Sequence, residues 1–162
     1  MPETDPILFE LQRLRADVDE LIRGEFNPYA VGTWTPAFSG SSTAGVYTYT
    51  IQQGYYIKSG QLVTIFGQVR ISAIGTPPVG TMRISGLPFT CGATYYGHVT
   101  FGQINQFNYT AAALGLQGMV NITTTLILLR ESFDNGALVE VPAANFTNAA
   151  CDLFFSGIYL VD

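Results

Sequence analysis

Charge is very unevenly distributed along this chain of 162 residues. Ten of its nineteen charged side chains lie in residues 1–26, and the rest of the chain carries only nine. The turn-forming pair Asn27-Pro28 follows the charged segment, so we predict a boundary near residue 27. The sequence therefore predicts an N-terminal segment, 1–26, and a larger unit, 27–162. The chain is too short for two full domains with independent cores.

The N-terminal segment has the period of an amphipathic helix. Its apolar residues recur at alternating spacings of four and three, as the a and d positions of a coiled coil do. Asp5-Pro6 suits the start of the helix, and Glu10 and Arg15 suit ion pairs between parallel helices. We predict a short coiled-coil stalk. The alternative is a single helix packed on its own domain, because fewer than three heptads cannot hold a coiled coil alone. The predicted oligomerisation residues here are Ile7, Leu11, Leu14, Val18 and Leu21.

The larger unit has the period of β-strands. Apolar and polar residues alternate in 46–51 and 63–71, as expected of half-buried strands. Lys58-Ser59-Gly60-Gln61 and Asp134-Asn135-Gly136 are typical of hairpin turns, the second of a two-residue loop. No helical period of useful length follows residue 26. The predicted fold class is mainly β: an antiparallel β-sandwich or jelly roll preceded by a short N-terminal α-helix.

The last predicted strand is hydrophobic on both faces: Leu153, Phe155, Tyr159 and Val161 alternate with Phe154, Ile158 and Leu160. Antiparallel sandwiches usually leave one face of each sheet to water, so the second face needs a cover from outside. Nine charged groups are also few for a soluble monomer of this size. We therefore expect an obligate homo-oligomer with Phe154, Ile158 and Leu160 in its interface. A monomer hydrated by its many Ser, Thr, Asn, Gln and Gly residues is the alternative.

Three stretches of the larger unit resemble a known family. They are GTWTP at 32–36, QGYYIKSGQLVTIFGQVRIS at 53–72 and ISGLPFT at 84–90. Their order and spacing are similar to a pattern in bacteriophage tail-fibre and related virion proteins. The resemblance implies a trimeric, non-enzymatic β-sandwich at the tip of a fibre or spike, in a virion assembled in the host cytoplasm. It also implies helices that mount the trimer on other virion proteins.

Composition argues against several classes of partner and cofactor. A net charge of −5 disfavours binding to nucleic acid or to anionic lipid. The most apolar stretch, 153–161, is about half as long as a membrane span, so no membrane insertion is expected. One histidine and two cysteines are too few for a zinc site or a redox motif within one chain, so we expect no metal and no cofactor. Cys91 and Cys151 are interpreted as buried free thiols. His98 is interpreted as an outward strand histidine, with metal binding by three copies as the alternative.

No enzymatic motif is evident in the sequence. No serine lies in a G-x-S-x-G elbow. Glu131 and Asp134 flank a predicted turn, where solvated charges are ordinary, so a polysaccharide hydrolase is the least favoured of the alternatives considered. Asn-x-Thr tripeptides begin at Asn108, Asn121 and Asn145 and are interpreted as strand and turn chemistry.

A charge-free stretch that is rich in aromatic rings and amides suggests that the protein binds another molecule instead. Such groups stack on sugar faces and hydrogen-bond to hydroxyls, so we predict contact with a host-surface glycan, or with a protein there. Packing of the same aromatics in the core or an interface is one alternative. A purely structural role in a capsid spike or baseplate is another. The predicted receptor-binding residues are Tyr95, Tyr96, Asn105, Phe107, Asn108 and Tyr109.

Overall fold

The computed structural model describes residues 6–20, 29–147 and 149–162. This part of the chain has one α-helix, α1 (Pro6–Glu20), and a 3-10 turn at Ala143–Asn145. Its strands are β1 (Tyr29–Trp34), β2 (Ala37–Gly40), β3 (Val46–Ser59), β4 (Leu62–Thr76), β5 (Met82–Ser85), β6 (Gly97–Asn105), β7 (Ala113–Val120), β8 (Leu126–Phe133), β9 (Val139–Glu140) and β10 (Asp152–Leu160). The prediction of a mainly β fold with a short N-terminal helix is confirmed.

The strands form one antiparallel sheet in the order β1-β3-β4-β10-β6-β7-β8-β5-β2, with β9 beside β8. β1 and β2 lie at opposite ends of this order, yet only Thr35 and Pro36 separate them in the chain. Phe38 in β2 also reaches β3, where its backbone N–H donates to the Tyr49 hydroxyl at 2.9 Å. The sheet therefore folds over on itself. We call β1, β3, β4, β10 and β6 the first layer, and β7, β8, β5, β2 and β9 the second layer.

The two layers enclose a core in which aromatic rings occupy the largest volumes. Phe155 in β10 is fully buried, and its ring meets the edge of Trp34 with centroids 6.1 Å apart. The ring lies against Gly67 of β4 so closely that a Cβ at residue 67 would overlap it. Trp34 also donates from Nε1 to the Phe66 carbonyl at 3.1 Å. Glycine at position 67 is thus required by close packing, which is a recognised use of glycine within a strand.

Both predicted hairpins are present, but the second has a longer loop than predicted. Ser59 pairs with Leu62 across the first turn, where Gly60 takes a positive φ of 59°. Asn135 takes a positive φ of 54°, yet β8 and β9 are joined by the five residues 134–138. The prediction of a two-residue loop is therefore wrong. Val141, just after β9, is fully buried, and its backbone N–H donates to the Leu129 carbonyl. This hydrogen bond holds β9 in register with β8.

Helix α1 does not pack on the β layers, since every described side chain in residues 6–19 is exposed. The alternative of a helix packed on its own domain is therefore not what the structure shows. The coiled-coil stalk stays a prediction. Leu21 and the predicted boundary near residue 27 lie outside the described residues. In the described part of the chain, no helix is both long and apolar enough to cross a membrane.

Candidate functional site

The outer face of the first layer carries hydrophobic side chains that the described chain leaves uncovered. Antiparallel register aligns the side chains of its strands in rows, because paired residues point to the same face. One row runs from Val31 through Ile57, Thr64 and Ile158 to His98. We call this surface the outer face. Its exposed large hydrophobic side chains are Tyr29, Val31, Tyr55, Leu62, Phe66, Phe154, Ile158 and Leu160.

The sequence predicted three of these residues as interface residues. Phe154, Ile158 and Leu160 are 46%, 51% and 39% exposed and all lie on the outer face, whereas Leu153, Phe155 and Tyr159 are buried. The predicted division of β10 into two hydrophobic faces is thus confirmed, while the oligomer itself stays a prediction. Sequence reasoning missed the other five residues of the face. The available signal was Leu62 and Phe66, which alternate with the buried residues of β4.

The outer face is free of charge over most of its area. Among the described residues, no charged side chain lies on the rows between Tyr29 and Gln103. A shallow cleft of about 290 Å³ crosses the face. Its sides include the rings of Tyr55, Phe66 and Phe154, and its rim includes the amides of two glutamines. Hydrophobic walls with a few polar groups suit burial against another surface without the cost of desolvating ions.

A buried carboxylate lies at one end of the outer face. Asp152 is only 2% exposed. Its Oδ1 accepts from Gln68 Nε2 at 3.1 Å, and its Oδ2 accepts from Gln103 Nε2 at 2.9 Å. Arg70 donates to Oδ2 from Nε at 3.0 Å and from Nη2 at 2.5 Å. Charge-assisted bonds of this kind satisfy the buried charge and tie β4, β10 and β6 together.

The predicted receptor-binding residues do not form one cluster. Tyr95 and Tyr96 are exposed just before β6, whereas Asn105 ends that strand. Nine residues of strand separate the two ends by roughly 26 Å. Phe107 is buried, and its ring packs on Tyr109 with centroids 5.3 Å apart. The exposed members therefore form two separate groups, and Phe107 belongs to the core. Receptor contact by the exposed members stays a prediction.

Two of the Asn-x-Thr tripeptides bind each other. Asn108 Nδ2 donates to Thr147 Oγ1 at 2.7 Å, and Asn145 Nδ2 donates to Thr110 Oγ1 at 2.8 Å. The Thr110 backbone N–H donates in turn to Oε1 of Glu131 at 2.8 Å. These reciprocal bonds join the loop after β6 to the loop before β10. The interpretation of these two tripeptides as turn chemistry agrees with this arrangement.

The expectation that Glu131 is a solvated turn residue is wrong. Its side chain is fully buried because it lies opposite Leu116 on the inner side of β8 and accepts from a loop N–H. Asp134 is exposed at the turn. The two carboxylates therefore do not face each other across a cleft. Among the described residues, no three His, Cys, Asp or Glu side chains lie close enough together to hold a metal ion.

The fold has a counterpart among solved structures. It resembles part of a phage tailspike. The crystal structure of Dettilon tailspike protein matches with a TM-score of 0.69 and 15% sequence identity, over 83% of this chain. The match covers 24% of the tailspike chain, so this protein spans about a quarter of that length. At this identity the likeness shows the fold alone. No protein-family model and no curated protein sequence matches the chain.

The two cysteines and the histidine lie where the sequence analysis placed them. Both thiols are free and buried, and they lie near opposite ends of β10. Burial, with a smaller effect of the Asp152 carboxylate, raises the pKa of the Cys151 thiol to about 12. Burial also raises the pKa of Cys91. His98 is an exposed side chain of β6 that points outward beside Ile158, as expected.

We expect both thiols to resist a disulfide reagent at neutral pH. The reagent needs the thiolate, and a raised pKa together with burial keeps both groups protonated and inaccessible. The measurement is the absorbance of released thiol, before and after unfolding in guanidinium. A Leu114→Cys variant supplies an exposed control thiol that should react at once. Fast reaction of two thiols in the folded wild type would contradict the buried positions.

Proposed function

We propose that this chain is a bacteriophage virion protein, one subunit of a homotrimeric tail fibre or spike that binds the host cell surface. The observation that carries the proposal is the fold shared with a phage tailspike over most of the chain. In this proposal the β unit makes contact with the host, and residues 1–26 mount the trimer on other virion proteins. The protein acts by binding and not by catalysis.

Two surfaces support self-association. Over the rows between Tyr29 and Gln103, the outer face can pack against other copies without removing an ion from water, since these rows carry no charge. The a and d residues of α1 that the structure describes, Ile7, Leu11, Leu14 and Val18, are all exposed. A helix of fifteen residues is too short to hold a coiled coil alone. The outer face therefore supplies most of the association energy, and α1 aligns the copies.

Exposed aromatic side chains support host contact. Tyr95 and Tyr96 form one exposed group before β6, and Tyr109 with Asn108 forms another beyond its far end. Aromatic rings and amides suit a glycan. Three copies of a weak site on one trimer act together, so modest affinity at each site is sufficient for firm attachment.

Deletion of residues 1–24 is expected to leave the oligomer intact and to abolish its incorporation into the phage particle. The reason is that the outer face, which remains, supplies most of the association energy. Sedimentation of the purified variant and immunoblotting of purified particles measure the two effects. The full-length chain is the control. Conversion of the variant to monomers would show that the helix supplies the association energy.

An adsorption assay distinguishes the proposed role from the two alternative functions. Labelled full-length protein is incubated with a panel of bacterial cells and with solutions of their surface polysaccharides. Binding without loss of polysaccharide viscosity supports the proposal. Loss of viscosity would favour a hydrolase, and absence of binding to every surface would favour a structural component of a capsid spike or baseplate.

A further inference from the structure

The outer side of the second layer carries two arginines whose side chains have no hydrogen-bond or ion-pair partner among the described residues. Arg83 lies in β5 and Arg130 in β8. Register pairs Arg83 with Leu128, and Arg130 follows Leu128 by two residues on the same side of its strand. The two arginines are therefore diagonal neighbours, about 7–8 Å apart at their backbones.

Both side chains lie against the sheet. Leu128 is only 5% exposed although the register places it on the outer side, and Nε of each arginine is buried. This burial indicates that the arginine stems cover Leu128, as long charged side chains do over hydrophobic surface. Neither Nε has a hydrogen-bond partner. The guanidinium groups have thus lost part of their contact with water, and no protein acceptor replaces it.

Nearby carboxylates do not neutralise this pair by contact. Glu140 lies opposite Arg130 in the ladder, but its Oε2 accepts from the Thr81 hydroxyl at 2.6 Å. Glu131 points into the core. Within the described residues, the sole ion pair joins Arg70 and Asp152 at the other layer. Half of the four basic residues of 29–162 therefore lie together here, with one carboxylate near them.

We propose that Arg83 and Arg130 bind an oxyanion, a carboxylate or phosphate group, carried by an acidic polysaccharide. Two planar guanidinium groups can hold one oxyanion with several charge-assisted bonds, and partial burial strengthens these bonds. The site lies on the second layer, so packing of copies through the first layer leaves it open. The identity of the polymer rests on the proposed function, whereas the oxyanion site rests on the arginine pair alone.

The test is a titration of isotope-labelled full-length protein, followed at the Nε–H signals of its arginines. The probes are sodium glucuronate and inorganic phosphate, with glucose as the neutral control and sodium chloride at matched ionic strength. Saturable shifts of the Arg83 and Arg130 signals are expected with at least one oxyanion and with neither control. A response to only one probe identifies the source as carboxylate or phosphate. The absence of shifts with both oxyanions overturns the proposal.

Variants distinguish oxyanion binding by the arginine pair from a general effect of the protein's charge on affinity. Arg83→Gln and Arg130→Gln are each expected to weaken binding about tenfold or more, because a charged hydrogen-bond donor is lost. Arg13→Gln removes the same charge from exposed α1 and should leave affinity unchanged. Arg83→Lys keeps the charge but loses the planar fork, so intermediate affinity is expected. Equal binding by all variants contradicts the site.

The outcomes also distinguish this site from the proposed function. Adsorption to host cells without binding of either oxyanion would refute the arginine site and leave the proposed function standing. Binding of an oxyanion by a protein that adsorbs to no cell would support the site and refute host attachment.

Discussion

Replacing Phe155 by alanine is expected to lower the free energy of unfolding by about 3–5 kcal/mol. The ring is fully buried and contacts Trp34 and Phe101, with the Phe101 centroid 5.9 Å away. Gly67 opposite has no side chain that could move into the space. The cavity would therefore stay largely open, which adds to the lost transfer energy. Denaturant unfolding monitored by circular dichroism measures the change.

Phe154 provides a matched control one residue away. Its ring lies on the outer face and is 46% exposed, so Phe154→Ala removes the same atoms without opening a cavity in the core. We expect its effect on unfolding of the separated subunit to be below about 1 kcal/mol, with a larger effect on self-association. The stability of an oligomer depends on its concentration, so both variants are unfolded at several concentrations. Equal losses for the two variants would contradict the assigned faces.

The local pattern of the sequence predicts the faces of the strands well. Alternation in β4 and β10 separates buried from exposed residues correctly, because the side-chain period of a strand is fixed at two. The same rule could have found Glu131, which follows Ile127 and Leu129 at alternate positions and is buried with them. The interpretation of Glu131 as a turn charge gives its ionisable side chain more weight than its position in this alternation.

Long-range placement could not be predicted from this pattern. Periodicity does not say which strands pair. It also did not show that β6 separates Tyr96 from Asn105, because Gly102 is an extra residue opposite Phe154 and Phe155 and interrupts the alternation. The arginine pair could not be predicted from periodicity either. Arg83 and Arg130 are brought together only by the pairing of β5 with β8. Nor does the heptad pattern of α1 say what its apolar stripe contacts. That depends on a partner surface outside the helix.

Ile158→Asp is expected to convert the proposed oligomer into folded monomers. Ile158 lies on the outer face between Thr64 and His98, and it is 51% exposed in the single chain, so the β unit should still fold. In an assembly that covers this face, the new carboxylate would be buried without a partner. A cost of roughly 3 kcal/mol at each interface weakens association by roughly a hundredfold.

Leu114 in β7 is the matched control for this variant. Leu114→Asp also replaces an exposed aliphatic side chain by a carboxylate, but it lies in the second layer and is 70% exposed. We expect Leu114→Asp to sediment like the wild type at micromolar concentration, and Ile158→Asp to sediment as a single subunit with an unchanged circular dichroism spectrum. An Ile158→Asp variant that remains oligomeric would show that another surface joins the copies. A wild type that is already monomeric would contradict the proposed trimer, because the hydrophobic outer face would then be stable in water without a partner.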